Sequence, residues 1–484
     1  MNTPIRRVAT FVAGLFSLLL ISTTLIQFWF AQDLNARPDN RRTLLASFAQ
    51  ERGQILVGGE AVARSVPSDD EFRFQREYPQ GPAFAHVTGY YSFYGTGVGV
   101  ERAENALLSG RSDKLFYRRV SDLFTGRKRT GASLELTINP AVQQAAISAM
   151  GGQHGAAVAL DPRTGAILAL VSDPSFDPNV FASHDLKSVA EASDRLNADP
   201  SRPLVNRAIG GDLYPPGSTF KVVTAAMALS SGKYQPTSMV PGPASLPLPG
   251  TTIALDNDSK APCGPNNQTT LSNALVVSCN TTFASLGMEL GADALRTQAQ
   301  KFGFGDTIEI PMRTTPSSIP ADLNAPQTAQ SAIGQYEVRV TPLQMAMVAA
   351  GVANDGVVMR PYLVADVLGS DLSRIETASP QKLSQAVSPE VAHDLRDMMV
   401  GVVQGGTGTA AQIPGVAVAG KTGTAQHAPG AAPHAWFIAF APAQDPKIAV
   451  AVVVENGGRL GNEAFGGTVA APIARAMIQA ALKG

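Results

Sequence analysis

The sequence predicts an α+β body, an antiparallel sheet flanked by helices, running from about Leu134 to the C-terminus. A mixed N-terminal module and one transmembrane helix precede it. Three observations carry this reading. Residues 155–160 and 166–171 are apolar runs joined by Asp161-Pro162-Arg163-Thr164-Gly165, a turn sequence suited to a hairpin. Helical patterning covers 271–290, 292–302 and 342–353 in the middle of the chain. Strand-like runs return at 415–423, 435–441 and 448–455, and a helical pattern at 467–482 closes the chain.

Taken in order, Arg6 and Arg7 precede residues 8–30, which carry no charge and end in Trp29-Phe30. That length crosses a bilayer, and the aromatic pair fits an interface. A cleaved signal peptide would show a shorter apolar core and a small-residue cleavage site. The arginines place residues 1–7 in the cytoplasm and the body outside it. Residues 32–50 are polar and basic, as a stalk would be. From 51 to about 129, short alternating segments and turn residues predict strands and loops rather than long helices. Gly95-Thr96-Gly97-Val98-Gly99 reads as a turn, because it lacks the third glycine of a dinucleotide loop. Leu134-Glu135-Leu136-Thr137-Ile138 alternates as a strand does, and 140–150 reads as a helix opened by Pro140. A polar region then runs to Gly211, and a proline-rich surface segment covers 236–265. The organisation is 1–7 tail, 8–30 membrane helix, 31–133 stalk and N-terminal module, and 134–484 main domain.

Composition sets limits. The 484 residues are 44% hydrophobic and 16% charged, enough for two or three domains with cores. A net charge of −1 without a basic cluster argues against a nucleic-acid partner. Two cysteines, Cys263 and Cys279, are too few for a disulfide scaffold or a zinc site.

The chemistry centres on Tyr214-Pro215-Pro216-Gly217-Ser218-Thr219-Phe220-Lys221 and the apolar run that follows. Pro-Pro-Gly breaks the chain, Ser218 stands where a helix N-cap would fall, and Lys221 follows at i+3 on the same face. A serine needs a base within hydrogen-bond reach to become a nucleophile, and a lysine serves only if its pKa is lowered. A helix N-terminus also favours a developing oxyanion. Ser-x-x-Lys alone is a common chance pattern. Ser278-Cys279-Asn280 and Lys421-Thr422-Gly423-Thr424 follow it in order, and each alone reads as a cap or a strand end. The ordered triple is specific, for it recurs in penicillin-binding proteins and class A β-lactamases.

On these motifs the chain resembles the monofunctional class B penicillin-binding proteins, above all the short penicillin-binding protein A type of actinobacteria. The likeness extends to Arg52-Gly53-Gln54-Ile55, Gly99-Val100-Glu101, Leu160-Asp161-Pro162, Pro174-Ser175-Phe176-Asp177-Pro178-Asn179 and Asn206-Arg207. Gly334-Gln335, Val340-Thr341-Pro342-Leu343-Gln344-Met345-Ala346 and Gly406-Thr407-Gly408 belong to it as well. Many relatives continue Arg-Gly-x-Ile with Asp-Arg-Asn-Gly, whereas this chain has Leu56-Val57-Gly58-Gly59. The resemblance implies a peptidoglycan D,D-transpeptidase that cross-links stem peptides and is acylated by β-lactams. Ser218 would attack the bond between the terminal D-alanines, with Lys221 as base. Ser278 would pass a proton to the leaving D-alanine, and Asn280 would hold Lys221 and the substrate amide. Backbone N–H groups of Ser218 and Thr424 would form the oxyanion hole. Lys421, Thr422 and Thr424, around Gly423, would bind the terminal carboxylate, and the Lys421 cation would depress the pKa of Lys221. The resemblance implies no metal or cofactor, and a membrane glycan polymerase of the SEDS type as partner.

Other readings are weaker. Gly415-Val416-Ala417-Val418-Ala419-Gly420-Lys421-Thr422 fits a P-loop pattern, but Val-Ala-Val-Ala reads as strand and Pro429-Gly430 follow where a helix should start. His427 and His434 tempt a Ser-His-Asp reading, yet no G-x-S-x-G elbow exists. A β-lactamase would need a water activator that the residues do not supply, and a signalling receptor would need more than seven cytoplasmic residues. For Cys263 and Cys279 two arrangements stay open. A bridge, allowed outside the cytoplasm, would add about 3 kcal/mol. The alternative is a buried free Cys279 with an exposed Cys263.

Overall fold

The computed structural model describes residues 2–31, 34, 48–93, 97–116, 124 and 130–483. The stalk expected at 32–50, and Gly95 and Thr96 of the expected turn, lie largely outside the described residues. The chain opens with a helix, Asn2–Thr24, extended by a π-helical turn, Leu25–Trp29. Thr3–Trp29, with a mean hydropathy of 2.1 and no buried face, is long and apolar enough to cross a membrane. Three of its hydroxyls are satisfied within the helix: Thr10, Ser17 and Thr23 donate to the carbonyls of Arg6, Ala13 and Leu19.

The N-terminal module is a twisted sheet with short helices. Strands β1 (Ile55–Val57), β2 (Glu60–Pro67), β3 (Phe74–Glu77) and β4 (Ser133–Leu136) build it. The departure Leu56-Val57-Gly58-Gly59 has a simple cause here. Val57 pairs with Glu60 across a two-residue turn, and both Gly58 and Gly59 have positive φ, +58° and +79°, as a type I′ hairpin demands.

Arg52 and Glu101, which stood out as motif residues, hold this module together. Glu101 is buried and takes Arg52 Nε at 2.6 Å and Arg76 Nε at 2.7 Å, one on each carboxylate oxygen. Arg52 Nη1 also donates to Asn105 Oδ1 at 2.7 Å, and its guanidinium lies 4.2 Å from the Tyr91 ring centroid. Arg76 Nη1 donates to Gly53 O at 2.9 Å. Burial by itself would raise the Glu101 pKa, but Arg76 and Arg52 outweigh it and hold the carboxyl below its ordinary range.

The main domain is built on β5 (Gly155–Leu160) and β6 (Ile167–Asp173), the predicted hairpin, after a helix at Pro140–Met150 capped by Asn139. Between the two halves of its sheet the chain makes a largely helical insert. It then sends β7 (Val364–Leu368) and β8 (Arg374–Thr377) back to the N-terminal sheet. That first sheet therefore runs β8-β7-β4-β1-β2-β3, and the Leu134 strand belongs to it. Strands β9 (Ala419–Ala425), β10 (His434–Ala441) and β11 (Ile448–Val454) complete the second sheet in the order β9-β10-β11-β5-β6, wholly antiparallel. Alternate residues of its strands enter two separate cores. Ala156, Val158, Ile438, Ala451 and Val453 face the insert's helices, including Pro342–Ala353. Ala157, Phe437, Val450 and Val452 face the helices Pro140–Met150 and Gly466–Lys483. A sheet covered on both faces explains why β10 and β11 read as unbroken apolar runs. Two helices, Asn179–Ala182 and Leu186–Ala198, lie in the region read as merely polar, and only Val189 and Ala192 of the second are buried.

Replacing Glu101 by alanine leaves two guanidinium groups buried without their anion, and should cost roughly 3–5 kcal/mol in denaturant unfolding. In the native protein the contribution of Glu101 is complete above the unfolded carboxyl pKa and is lost as pH falls through the lowered folded one.

Candidate active site

Ser218 sits on a 3-10 turn, Gly217–Phe220, that leads directly into the helix Lys221–Ser230. It is therefore inside the first turn rather than at the N-cap expected from sequence, a place that Pro216 takes. A 3-10 turn has three residues per turn, so i and i+3 eclipse, and Ser218 and Lys221 share one side. The turn is held from three directions. Gly217 N–H donates to Gly334 O at 2.9 Å, Trp436 Nε1 donates to Pro215 O at 3.0 Å, and Thr219 Oγ1 donates to Pro216 O at 2.7 Å. Gly334 has φ +73°, and a Cβ there would lie 2.2 Å from Gly217 O, so only glycine admits this approach. Ser218 is 9% exposed, whereas Lys221 is fully buried.

The second motif corrects an expectation. The helical pattern at 271–290 is two helices, Leu271–Val276 and Asn280–Leu290, broken at Ser278, whose φ is +60°. The break frees the Ser278 carbonyl and turns it toward Lys221. Lys221 Nζ lies 2.6 Å from Asn280 Oδ1, 2.7 Å from Ser278 O and 3.2 Å from Ser278 Oγ. The amide nitrogen of Asn280 faces away and donates to Asp256 O and Asp258 Oδ1, both at 3.0 Å. Cys279 is bridged to Cys263, with a Cα–Cα distance of 5.9 Å, which ties the loop ahead of the motif to the helix start.

The third motif lies on β9, the edge strand of the five-stranded sheet. Lys421 is fully buried, and its Nζ donates to Ser278 Oγ at 2.9 Å and to Thr422 O at 3.0 Å. Thr422 Oγ1 is 2.6 Å from Thr407 Oγ1. Gly423 keeps the strand close to the serine turn, for a Cβ there would meet Pro216 O at 2.9 Å. Thr424 O lies 2.7 Å from where a Cβ on Gly217 would stand, so the strand end flanks Ser218.

Two amines thus converge on one hydroxyl. Burial pushes the Lys221 pKa down to about 7, with Asp258 opposing. Burial also pushes Lys421 well below the ordinary lysine range, and repulsion from Lys221 adds to it. The sequence expectation made the Lys421 cation the cause for Lys221; desolvation is the larger cause, and the charge repulsion registers on Lys421. Repulsion is mutual, so the amines titrate as a pair, and the pair sheds one proton far more readily than isolated lysines would.

The competing readings lose their geometry. Gly420-Lys421 is interior to a strand, with no helix N-terminus after it. His434 Nδ1 accepts from Asn456 N–H at 3.2 Å, its ring stacks on His427 with centroids 4.0 Å apart, and burial lowers its pKa to about 4. No hydrogen bond joins either histidine to Ser218 among the described residues. Gly334, Trp436, Thr407, Asn257 and Asp258 support the site without having been assigned a role from sequence. Asn257 accepts Thr281 N–H at 3.1 Å and donates to Pro243 O and Ala261 O. Of these, Gly334 and Thr407 lay within stretches that carried the family resemblance.

A serine at a helix start, a buried lysine one turn on, a second motif at a helix break and a third on the edge strand of an antiparallel sheet define a penicillin-interacting serine acyltransferase. The chain matches the penicillin binding protein transpeptidase domain over residues 155–479 and the penicillin binding protein A dimerisation domain over 52–134. It belongs to the penicillin-binding protein transpeptidase family. It is 49% identical to the peptidoglycan D,D-transpeptidase PbpA of Mycolicibacterium smegmatis over 494 residues, covering 100% of this chain and 99% of that one. The PbpA of Mycobacterium tuberculosis is 47% identical, over 100% of both chains. The structure superposes on penicillin-binding protein A from M. tuberculosis, as its ceftriaxone acyl-enzyme, with a TM-score of 0.86 at 46% identity. That match covers 90% of this chain and 100% of the other.

Gly334→Ala should destabilise the protein by about 1–3 kcal/mol in denaturant unfolding, because the new methyl must push the serine turn off its seat.

Proposed function

We propose that this protein is a membrane-anchored peptidoglycan D,D-transpeptidase that works through an acyl-enzyme on Ser218. The observation that carries the reading is the convergence of Lys221 and Lys421 on Ser278 Oγ, at 3.2 and 2.9 Å, with Lys221 one turn on from Ser218.

The roles follow from donor counting. Asn280 Oδ1 and Ser278 O can only accept, so they take the two N–H groups of a neutral Lys221. Its lone pair is then free for a proton. Ser218 Oγ attacks the carbonyl of the penultimate D-alanine, and its proton passes to Lys221. Backbone N–H groups of Ser218 and Thr424 receive the oxyanion. As the amide C–N bond breaks, Ser278 gives its proton to the departing nitrogen and is reprotonated by the Lys221 ammonium, which restores the neutral amine. D-Alanine leaves, and an ester joins Ser218 to the stem peptide. The amine of a neighbouring stem attacks that ester, loses a proton by the reverse relay, and forms the cross-link. Lys421, Thr422 and Thr424 bind the substrate's terminal carboxylate, whose charge restores Lys421 to the ammonium form while Lys221 stays neutral. A β-lactam acylates Ser218 in the same way, but its leaving nitrogen stays tethered by the opened ring.

Anchoring rests on the N-terminal apolar helix. Arg6 and Arg7 before its uncharged run support a cytoplasmic N-terminus with the catalytic domain outside. On that face of the membrane a SEDS-type glycan polymerase would supply the strands to be joined. Asn280 binding the substrate amide requires that Asp256 O or Asp258 Oδ1 give up one of its N–H groups first.

A fluorescent penicillin should leave a long-lived adduct on the native protein and none on a folded Ser218→Ala variant. A transient adduct with released penicilloate would instead indicate a β-lactamase. Acylation should rise with pH through about 7 as Lys221 loses its proton, and fall roughly tenfold for each unit below. Lys221→Met should lower the acylation rate constant by at least about 10²-fold at every pH.

A further inference from the structure

Asp258 lies outside the three motifs, on the loop between the strand Ala254–Asp256 and Cys263. That loop is fixed on both sides of Asp258. Asn257 is buried and anchors it to Pro243, Ala261 and Thr281 at 2.8, 2.9 and 3.1 Å, and the disulfide holds its end against the Asn280 helix. Asp258 Oδ1 accepts one N–H of Asn280 at 3.0 Å, and the other N–H goes to Asp256 O. These two acceptors decide which way the amide faces. If it were turned over, its NH2 would meet the Lys221 amine, donor against donor, and the 2.6 Å contact of Oδ1 with Lys221 would be lost.

The charges around the lysines point to the same residue. Lys221 and Lys421 are buried side by side, and Asp258 is the carboxylate that acts on both. The carboxylate of Asp256 is turned to Lys260, 3.7 Å away. Among the described residues, the charged groups acting on Lys221 are therefore Lys421 from the edge strand and Asp258 from the loop.

We propose that Asp258 is a positioning residue for acylation, orienting Asn280 toward Lys221 and serving as the shared counter-charge of the two buried lysines. The proposal deepens the transpeptidase reading and rests on it. A nearby anion favours the charged amine, so Asp258 holds Lys221 protonated to a higher pH than burial alone would, and removing its charge frees the base at lower pH.

The test is the pH profile of acylation by a fluorescent penicillin, over about pH 5 to 9. Asp258→Asn keeps an acceptor for Asn280 and removes the charge. At about pH 6 its rate constant, relative to its own alkaline plateau, should exceed the native ratio at least about twofold. Asp258→Ala, which also removes the acceptor, should lower the plateau itself. The native protein in about 0.5 M salt should move in the same direction as Asp258→Asn, because an exposed carboxylate is screened more than buried amines, and this arm needs no variant. A role confined to loop stability would leave the Asp258→Asn and high-salt profiles on the native curve, and that result overturns the proposal. A native adduct with unmoved profiles rejects only Asp258. No adduct at any pH removes the transpeptidase reading together with it.

Discussion

Lys221 and Lys421 are buried against the same hydroxyl, Ser278 Oγ, with the exposed carboxylate of Asp258 nearby to offset them. Placing two like charges there without water costs more than the hydrogen bonds return, so the pair gives up a proton. On the proposed mechanism, the base beside Ser218 comes from this unfavourable placement rather than from a histidine. Everything around the site serves to keep the amines dry and close. Helix Lys221–Ser230 is buried from Lys221 to Leu229, and β9 carries Lys421 on a sheet covered on both faces.

The scaffold converts that requirement into position. The three motifs sit on a helix start, a helix break and an edge strand, far apart in sequence, and small residues let them touch. Gly217, Gly334 and Gly423 meet backbone or side chain where any Cβ would collide. The disulfide and Asn257 fix the loop that orients Asn280. The N-terminal module is joined to this body by strands β7 and β8, which leave the catalytic domain to complete the first sheet beside β4. Its own integrity turns on Glu101, held between two arginines.

Much of this was legible in the sequence because chemistry restricts the residues. Ser218, Lys221, Ser278, Asn280 and Lys421 were identifiable from order and spacing, and the structure brings the lysines, Ser278 and Asn280 together. The helix Pro140–Met150 was read to the residue, because Asn139-Pro140 opens it and Gly151 closes it with φ +57°. What was not legible depends on distant pairing or local backbone. The left-handed φ of Ser278 leaves no trace in apolar periodicity, so the helix break was hidden inside a continuous pattern. The return of β7 and β8 to the N-terminal sheet is a long-range choice that local patterning does not encode. Whether Cys263 meets Cys279 depends on a distance. Asp258 sits in a turn-rich run, Asp256-Asn257-Asp258-Ser259, where Asn and Asp are expected for ordinary reasons.

The central claim is that one lysine of the pair is neutral near physiological pH in the resting enzyme. Carbon-13 labelling at lysine Cε, followed by NMR across a pH titration, reads this directly. The account predicts a Lys221 resonance with a midpoint near 7 that disappears in Lys221→Met, and a Lys421 resonance that loses its charged shift well below the ordinary lysine range. If every lysine resonance kept the charged shift up to about pH 9, the pair would hold both protons and the base assigned to Lys221 would not exist.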